Sequence, residues 1–165
     1  NVAAAVLLAV CGGIMRKDLD LSRLVGLAHR VEVLGEVDGV TWVDDSKATN
    51  VDSALAAYRG WEGPFHALIG GKGKSGAAYE ALVEPLRRAR SVTCFGEDGP
   101  LIYSAFVRGE LAARLVPKLA DAVALAREQA RPGEAVILSP ACASFDEFKD
   151  FEHRGRVFRS LALNC

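Results

Sequence analysis

Cysteine, methionine and aromatic residues are scarce in this chain of 165 residues, with four Cys, one Met, and Phe, Trp and Tyr together at 7%. Cys11, Cys94, Cys142 and Cys165 show no CxxC spacing, so neither a zinc site nor a disulfide framework is indicated. Three of them lie in or beside apolar runs, where a thiol packs as a small hydrophobe, and a reducing, cytoplasmic setting is expected. Charge of one sign is missing too. A formal net charge of −1 offers no basic field for nucleic acid or an anionic membrane, so neither is expected as a partner. The apolar opening Asn1 to Val10 lacks a basic leader and is too short to cross a bilayer. Internal repeats, low-complexity segments, long linkers and a coiled-coil seam are all lacking, and a monomer is expected. Known catalytic signatures are equally sparse. There is no GxSxG elbow for a nucleophilic serine, and His29, His66 and His153 are the only imidazole bases.

What remains is half hydrophobic and a quarter charged, as in a soluble globular protein with a real core. The length fits one domain, or one domain plus a piece of another, and the opening Asn in place of Met suits part of a longer protein. Asn1 to Ile14 and the Leu19–Leu27 stretch carry helical spacing. Val31–Val37 and Val40–Val43 alternate around Asp38-Gly39, which predicts an antiparallel hairpin with a tight turn that finishes one module and hands over to the next. Beyond it, strands at 65–69, 91–95, 113–116 and 135–138 alternate with helices at 50–58, 77–88, 100–107, 117–129 and 146–161. That alternation predicts a mainly parallel, doubly wound α/β sheet.

Three predicted strands end in polar or glycine-rich loops: Asp44-Asp45-Ser46-Lys47-Ala48-Thr49-Asn50, Gly70-Gly71-Lys72-Gly73-Lys74-Ser75, and Ser139-Pro140-Ala141-Cys142-Ala143-Ser144. In a parallel sheet these ends share one edge, so the loops are expected to converge on one crevice. A cap or turn explains any one of these polar residues. It does not explain Lys47 beside two carboxylates. The glycine-rich loop is not a Walker loop, because the position five before Gly73 is Leu68. It is either an exposed lysine-bearing turn or an anion site in which Lys74 adds a charge-assisted bond. Ser144 reads either as the N-cap of a helix whose first turn holds Asp146 and Glu147, or as part of a helix terminus facing an anion. Arg30 reads either as a surface ion-pair partner of Glu32 or Glu36, or as a fork for a phosphate. His66 is expected in the core or at an edge, and His153 on the polar face of the last helix.

These segments, with His29-Arg30-Val31-Glu32 and the run Phe145-Asp146-Glu147-Phe148-Lys149 followed by Phe151, Arg154 and Gly155, resemble the Mur ligases, in order and along nearly the whole chain. The Asp-Ser-Lys-Ala-Thr-Asn and Ser-Pro-Ala-Cys-Ala-Ser runs resemble those of the member that adds D-glutamate. The resemblance implies that residues 1–43 are the tail of a central ATPase domain, and that residues 44–165 form a Rossmann-like domain receiving the amino acid. It implies ATP contacts for Arg30 and Asp45. Lys47, the catalytic candidate, and Thr49 would lie where the nucleotide and amino-acid sites join. The D-glutamate pocket would comprise Thr49, Lys74, Ser144 and the backbone near Phe151. The second implied substrate is UDP-N-acetylmuramoyl-L-alanine, a cell-wall precursor. ATP and Mg2+ would be bound mainly by a region preceding Asn1. No metal ligand is assigned within this chain, which alone is expected to be inactive. Other readings are a folylpolyglutamate synthetase-like ligase domain and a non-catalytic nucleotide- or ligand-binding α/β module.

Overall fold

The computed structural model describes residues 26–163. The helices expected at 1–14 and 19–27 lie outside or at the rim of this range. The hairpin β1 (Glu32–Val37) and β2 (Val40–Asp44) forms as expected, with Asp38 and Gly39 both at positive φ in the turn. A bulge between Val33 and Gly35 breaks the register of β1. β3 (Phe65–Gly70), β4 (Ser91–Phe95), β5 (Arg114–Leu115) and β6 (Ala135–Leu138) complete a six-stranded sheet in the order β1-β2-β6-β3-β4-β5. Every pairing except β1–β2 is parallel.

The central strands are buried on both faces, and alternate side chains go to different cores. Val43, Ala67, Ile69, Val92, Cys94 and Ile137 pack with α1 (Val51–Gly60), α2 (Val83–Leu86) and α3 (Gly99–Arg108). Trp42, Leu68, Phe95, Val136 and Leu138 pack on the opposite face with α4 (Leu119–Gln129) and α5 (Phe151–Leu163). The sheet is therefore wound on both sides, in Rossmann-like fashion.

The structure departs from the sequence reading at two helices. The helix expected over 77–88 is a 3-10 turn, Tyr79–Leu82, followed by the single α-turn α2. Pro85 explains the break: it donates no N–H, and its ring opposes a helical carbonyl at Ala81. The last helix begins at Phe151, not near Asp146. The Ser144 carbonyl accepts from the N–H groups of Glu147 and Phe148, which curls 144–148 into a turn, and Asp150 Oδ1 caps the helix by accepting from His153 N at 2.6 Å. Ser144 is thus not an N-cap, and Asp146 and Glu147 are not in a first turn. β2 pairs with β6 from Thr41↔Ala135 to Asp44↔Leu138, so the hairpin and the strands after it share one sheet.

Candidate functional site

The three polar loops follow β2, β3 and β6, adjacent parallel strands, and backbone bonds lace them together at one edge. Asp45 N donates to the Leu138 carbonyl at 2.8 Å, Gly70 N to Pro140 O at 3.0 Å, and Lys72 N to Ala143 O at 2.9 Å. The last of these needs close backbone approach: a Cβ at Gly71 would strike the Ala143 carbonyl.

Two buried side chains hold the loops in place. Arg154, fully buried on α5, donates from Nη2 to the carbonyls of Ser46 at 2.8 Å and Cys142 at 2.9 Å, and from Nη1 to Ala143 O at 3.2 Å. Burial draws its pKa down to about 10, which leaves the guanidinium charged at neutral pH. Tyr58 of α1 donates to Leu68 O and Ser139 O from below, and burial lifts its phenol pKa. Patterning could not reveal Arg154, because a charged residue on a helix ordinarily faces water.

Asp45 is only 4% exposed. Its Oδ2 accepts from the Ser139 hydroxyl at 2.6 Å and its Oδ1 from Val31 N at 3.2 Å. Desolvation pushes its pKa up to about 6, against the opposing pull of those bonds and of the Arg30 charge. Arg30 itself is exposed at the rim. The pair with Glu32, one of the readings open for Arg30, does not form: Glu32 binds Arg159 at 2.5 Å and accepts from His29 N. The residues flanking Arg30, His29 and Val31, sit at φ 60° and 46°. For a β-branched residue this conformation costs on the order of 1–3 kcal/mol. Lys47 N bonded to His29 O, and Val31 N bonded to Asp45, hold it there.

Lys47 is exposed, with its ammonium 4.9 Å from the Phe151 ring centroid. Thr49 follows in the same loop, half-buried, with its N–H on Lys47 O. Lys74 is exposed and lines a cavity of about 260 Å³ together with Asn50, Val51 and Ala141, so it faces both other loops. Ser144 is buried next to Ala143, where the 70–75 loop crosses. Contacts thus join Asp45, Lys47, Thr49 and Phe151, with Arg30 at their border, while Lys74 shares its cavity with Asn50 and Ala141 of the other two loops but with none of the other predicted site residues. The thiols are not nucleophiles there, because burial raises Cys142 to about 11 and Cys94 to about 12.

One trio, His29, Glu32 and Asp44, has donor atoms within 4.8 Å of one another. It does not suit magnesium, which demands octahedral oxygen ligands. Asp44 Oδ2 is bonded to His29 Nδ1 at 2.6 Å and its Oδ1 accepts from Ser46 N, while both Glu32 oxygens are also in use.

Fold and site together define a Rossmann-like α/β domain, one edge of which carries lysines, hydroxyls and a buried carboxylate. Residues 29–142 match the family described as "Mur ligase, glutamate ligase domain", and the chain belongs to that family. It is 45% identical over 164 residues to the UDP-N-acetylmuramoylalanine–D-glutamate ligase of Myxococcus xanthus strain DK1622, covering 98% of this chain and 36% of that protein. It is 48% identical over 139 residues to the enzyme of the same name from Aromatoleum aromaticum, covering 83% and 30%. The chain thus spans about a third of the length of these relatives. Among solved structures it shares its fold with the MurF ligase of Thermotoga maritima in complex with ADP, with TM-score 0.64 and 17% identity over 98% of this chain and 37% of that one. The bifunctional folylpolyglutamate synthase/dihydrofolate synthase of Yersinia pestis CO92 gives TM-score 0.59 at 19% identity, over 86% and 32%. Among the described residues no helix is long and apolar enough to cross a membrane.

Proposed function

We propose that this chain is the amino-acid-receiving part of an ATP-dependent ligase that joins D-glutamate to UDP-N-acetylmuramoyl-L-alanine in cell-wall precursor synthesis. The observation that carries the reading is the convergence of the 44–50, 70–75 and 139–144 loops, the first and last tied by Arg154 and the middle one by Lys72 N on Ala143 O, in a chain 45% identical to a relative of that name. In the proposed reaction ATP phosphorylates the carboxylate of the muramoyl substrate and leaves as ADP. The amine of D-glutamate attacks the acyl phosphate, and the tetrahedral intermediate collapses to an amide with release of phosphate.

Within this chain, Asp45 and Arg30 are assigned to ATP, the first as an acceptor largely ionised at neutral pH and the second as a phosphate fork. Lys47 is assigned to the join between the two sites, where its ammonium stabilises charge on the transferring phosphoryl and acyl groups. Thr49, Lys74, Ser144 and the backbone at Phe151 are assigned to D-glutamate. A diacid needs two anion-binding points, and Lys74 on one loop with the 139–144 loop opposite provides them. The contribution to rate is proximity and orientation of the amine. Magnesium neutralises phosphate charge when bound, and its ligands are assigned to the preceding region. We place the start of the receiving unit ahead of the hairpin, near residue 29, because β2 is a full member of the sheet.

The test is phosphate release by the full-length protein with D-glutamate, L-glutamate or diaminopimelate as amine donor. Turnover with D-glutamate well above the other two is expected. Preference for either of the others overturns the assignment, and preference for L-glutamate directs it to the folylpolyglutamate type.

A further inference from the structure

The opposite, amino-terminal edge of the sheet carries a second and larger cavity, of about 620 Å³, within the size range of small-molecule sites. It opens where β3, β4, β5 and β6 begin, with Val92 and Ala113 in its wall. Its centre is a built polar group. His66, 2% exposed, bridges Ser91 Oγ at 2.8 Å through Nδ1 and Glu134 Oε2 at 2.9 Å through Nε2. Glu134 also pairs with Arg90 at 3.2 Å and accepts from Arg131 N at 3.0 Å. Both carboxylate oxygens are therefore engaged, and the bond from His66 holds the carboxyl below the usual range.

Arg114 and Arg131 also line the cavity, and neither forms an ion pair among the described residues. Three guanidiniums against one carboxylate leave two positive charges in one concavity of a chain whose net charge is −1. Two planar, permanently charged forks suit a compact dianion. A phosphate monoester carries about −1.5 to −2 at neutral pH on closely spaced oxygens. We propose that this cavity binds a small phosphate monoester, its phosphate gripped by Arg114 and Arg131 and its body lying against Val92 and Ala113. The site is at the far edge of the sheet from the loops assigned to ATP and D-glutamate, and the inference stands independently of that assignment.

Calorimetric titration of the full-length protein tests it, with the nucleotide site filled by a non-hydrolysable ATP analogue and glycerol 3-phosphate as probe. Saturable binding is expected, with affinity falling about tenfold or more in Arg114→Gln/Arg131→Gln, as for charged hydrogen bonds lost. Both arginines are exposed, so the melting temperature of the double variant stays close to that of the parent. Ala113→Glu, which places a carboxylate in the cavity wall, must weaken binding as well. Absence of saturable binding by the parent protein, unchanged affinity in the double variant, or equal affinity for succinate overturns the proposal.

Discussion

Asp45 concentrates the physical tension of the site in one carboxyl group. Its folded pKa of about 6 lies above the ordinary 3.8, so the folded chain holds this proton more tightly than the unfolded one. The sign follows from linkage: stability from this group is highest below pH ~4 and is lost as pH rises towards about 6, by something on the order of 2 kcal/mol. Asp45→Asn should flatten that slope, read as melting temperature against pH between 4 and 6.5. A slope the same as in the parent would assign it to other groups. Lys74 makes a different prediction, because it is exposed and carries little of the fold. Lys74→Ala in the full-length protein should raise the D-glutamate requirement by about tenfold, the scale of a charged hydrogen bond, and leave the ATP requirement nearly unchanged. Equal and negligible effects in steady-state kinetics would return Lys74 to the exposed-turn reading.

Among the elements, α5 is decisive, because its Arg154 ties two loops to each other and its Gly155 lets the helix approach the hairpin. A Cβ at Gly155 would run into the His29 ring and the Asp44 carboxylate. Gly155→Ala should therefore cost on the order of 1–3 kcal/mol as overpacking, measured by denaturant unfolding. A neutral or stabilising result would mean that the His29–Asp44 pair yields freely. Arg154→Lys keeps a charge but loses the fork that reaches three carbonyls. Its expected cost is roughly 2–3 kcal/mol for buried acceptors left unpaired, with a higher D-glutamate requirement as the loops separate. The two helix misreadings have the same kind of cause. Residues 77–88 carry good helical spacing, but Pro85 forbids the backbone that the spacing suggests. Asp146 and Glu147 have first-turn chemistry, yet the Ser144 carbonyl captures the following N–H groups before the helix starts. The hairpin and β6 were legible because alternation, an Asp-Gly turn and short apolar runs leave few other solutions. Arg154 as a clamp was not, since nothing in a helical polarity pattern announces a buried guanidinium.

At the scale of the whole molecule, the parallel sheet separates two edges, each with its own cavity. Strand order β2-β6-β3 makes neighbours of three loops that are far apart in sequence, so one crevice is assembled from positions 44–50, 70–75 and 139–144. The expected convergence therefore follows from parallel topology alone and survives both errors in helix placement. The hairpin joins the sheet through β2, and the bonds of Val31 N to Asp45 and of Lys47 N to His29 O bring residues 29–31 to the same edge. A structure of the full-length protein with D-glutamate bound, determined by crystallography, tests the central claim most directly. One carboxylate within hydrogen-bond distance of the Lys74 ammonium and the other against Ser144 is the predicted arrangement. D-glutamate bound away from these three loops, with Lys74 directed into solvent, would contradict it.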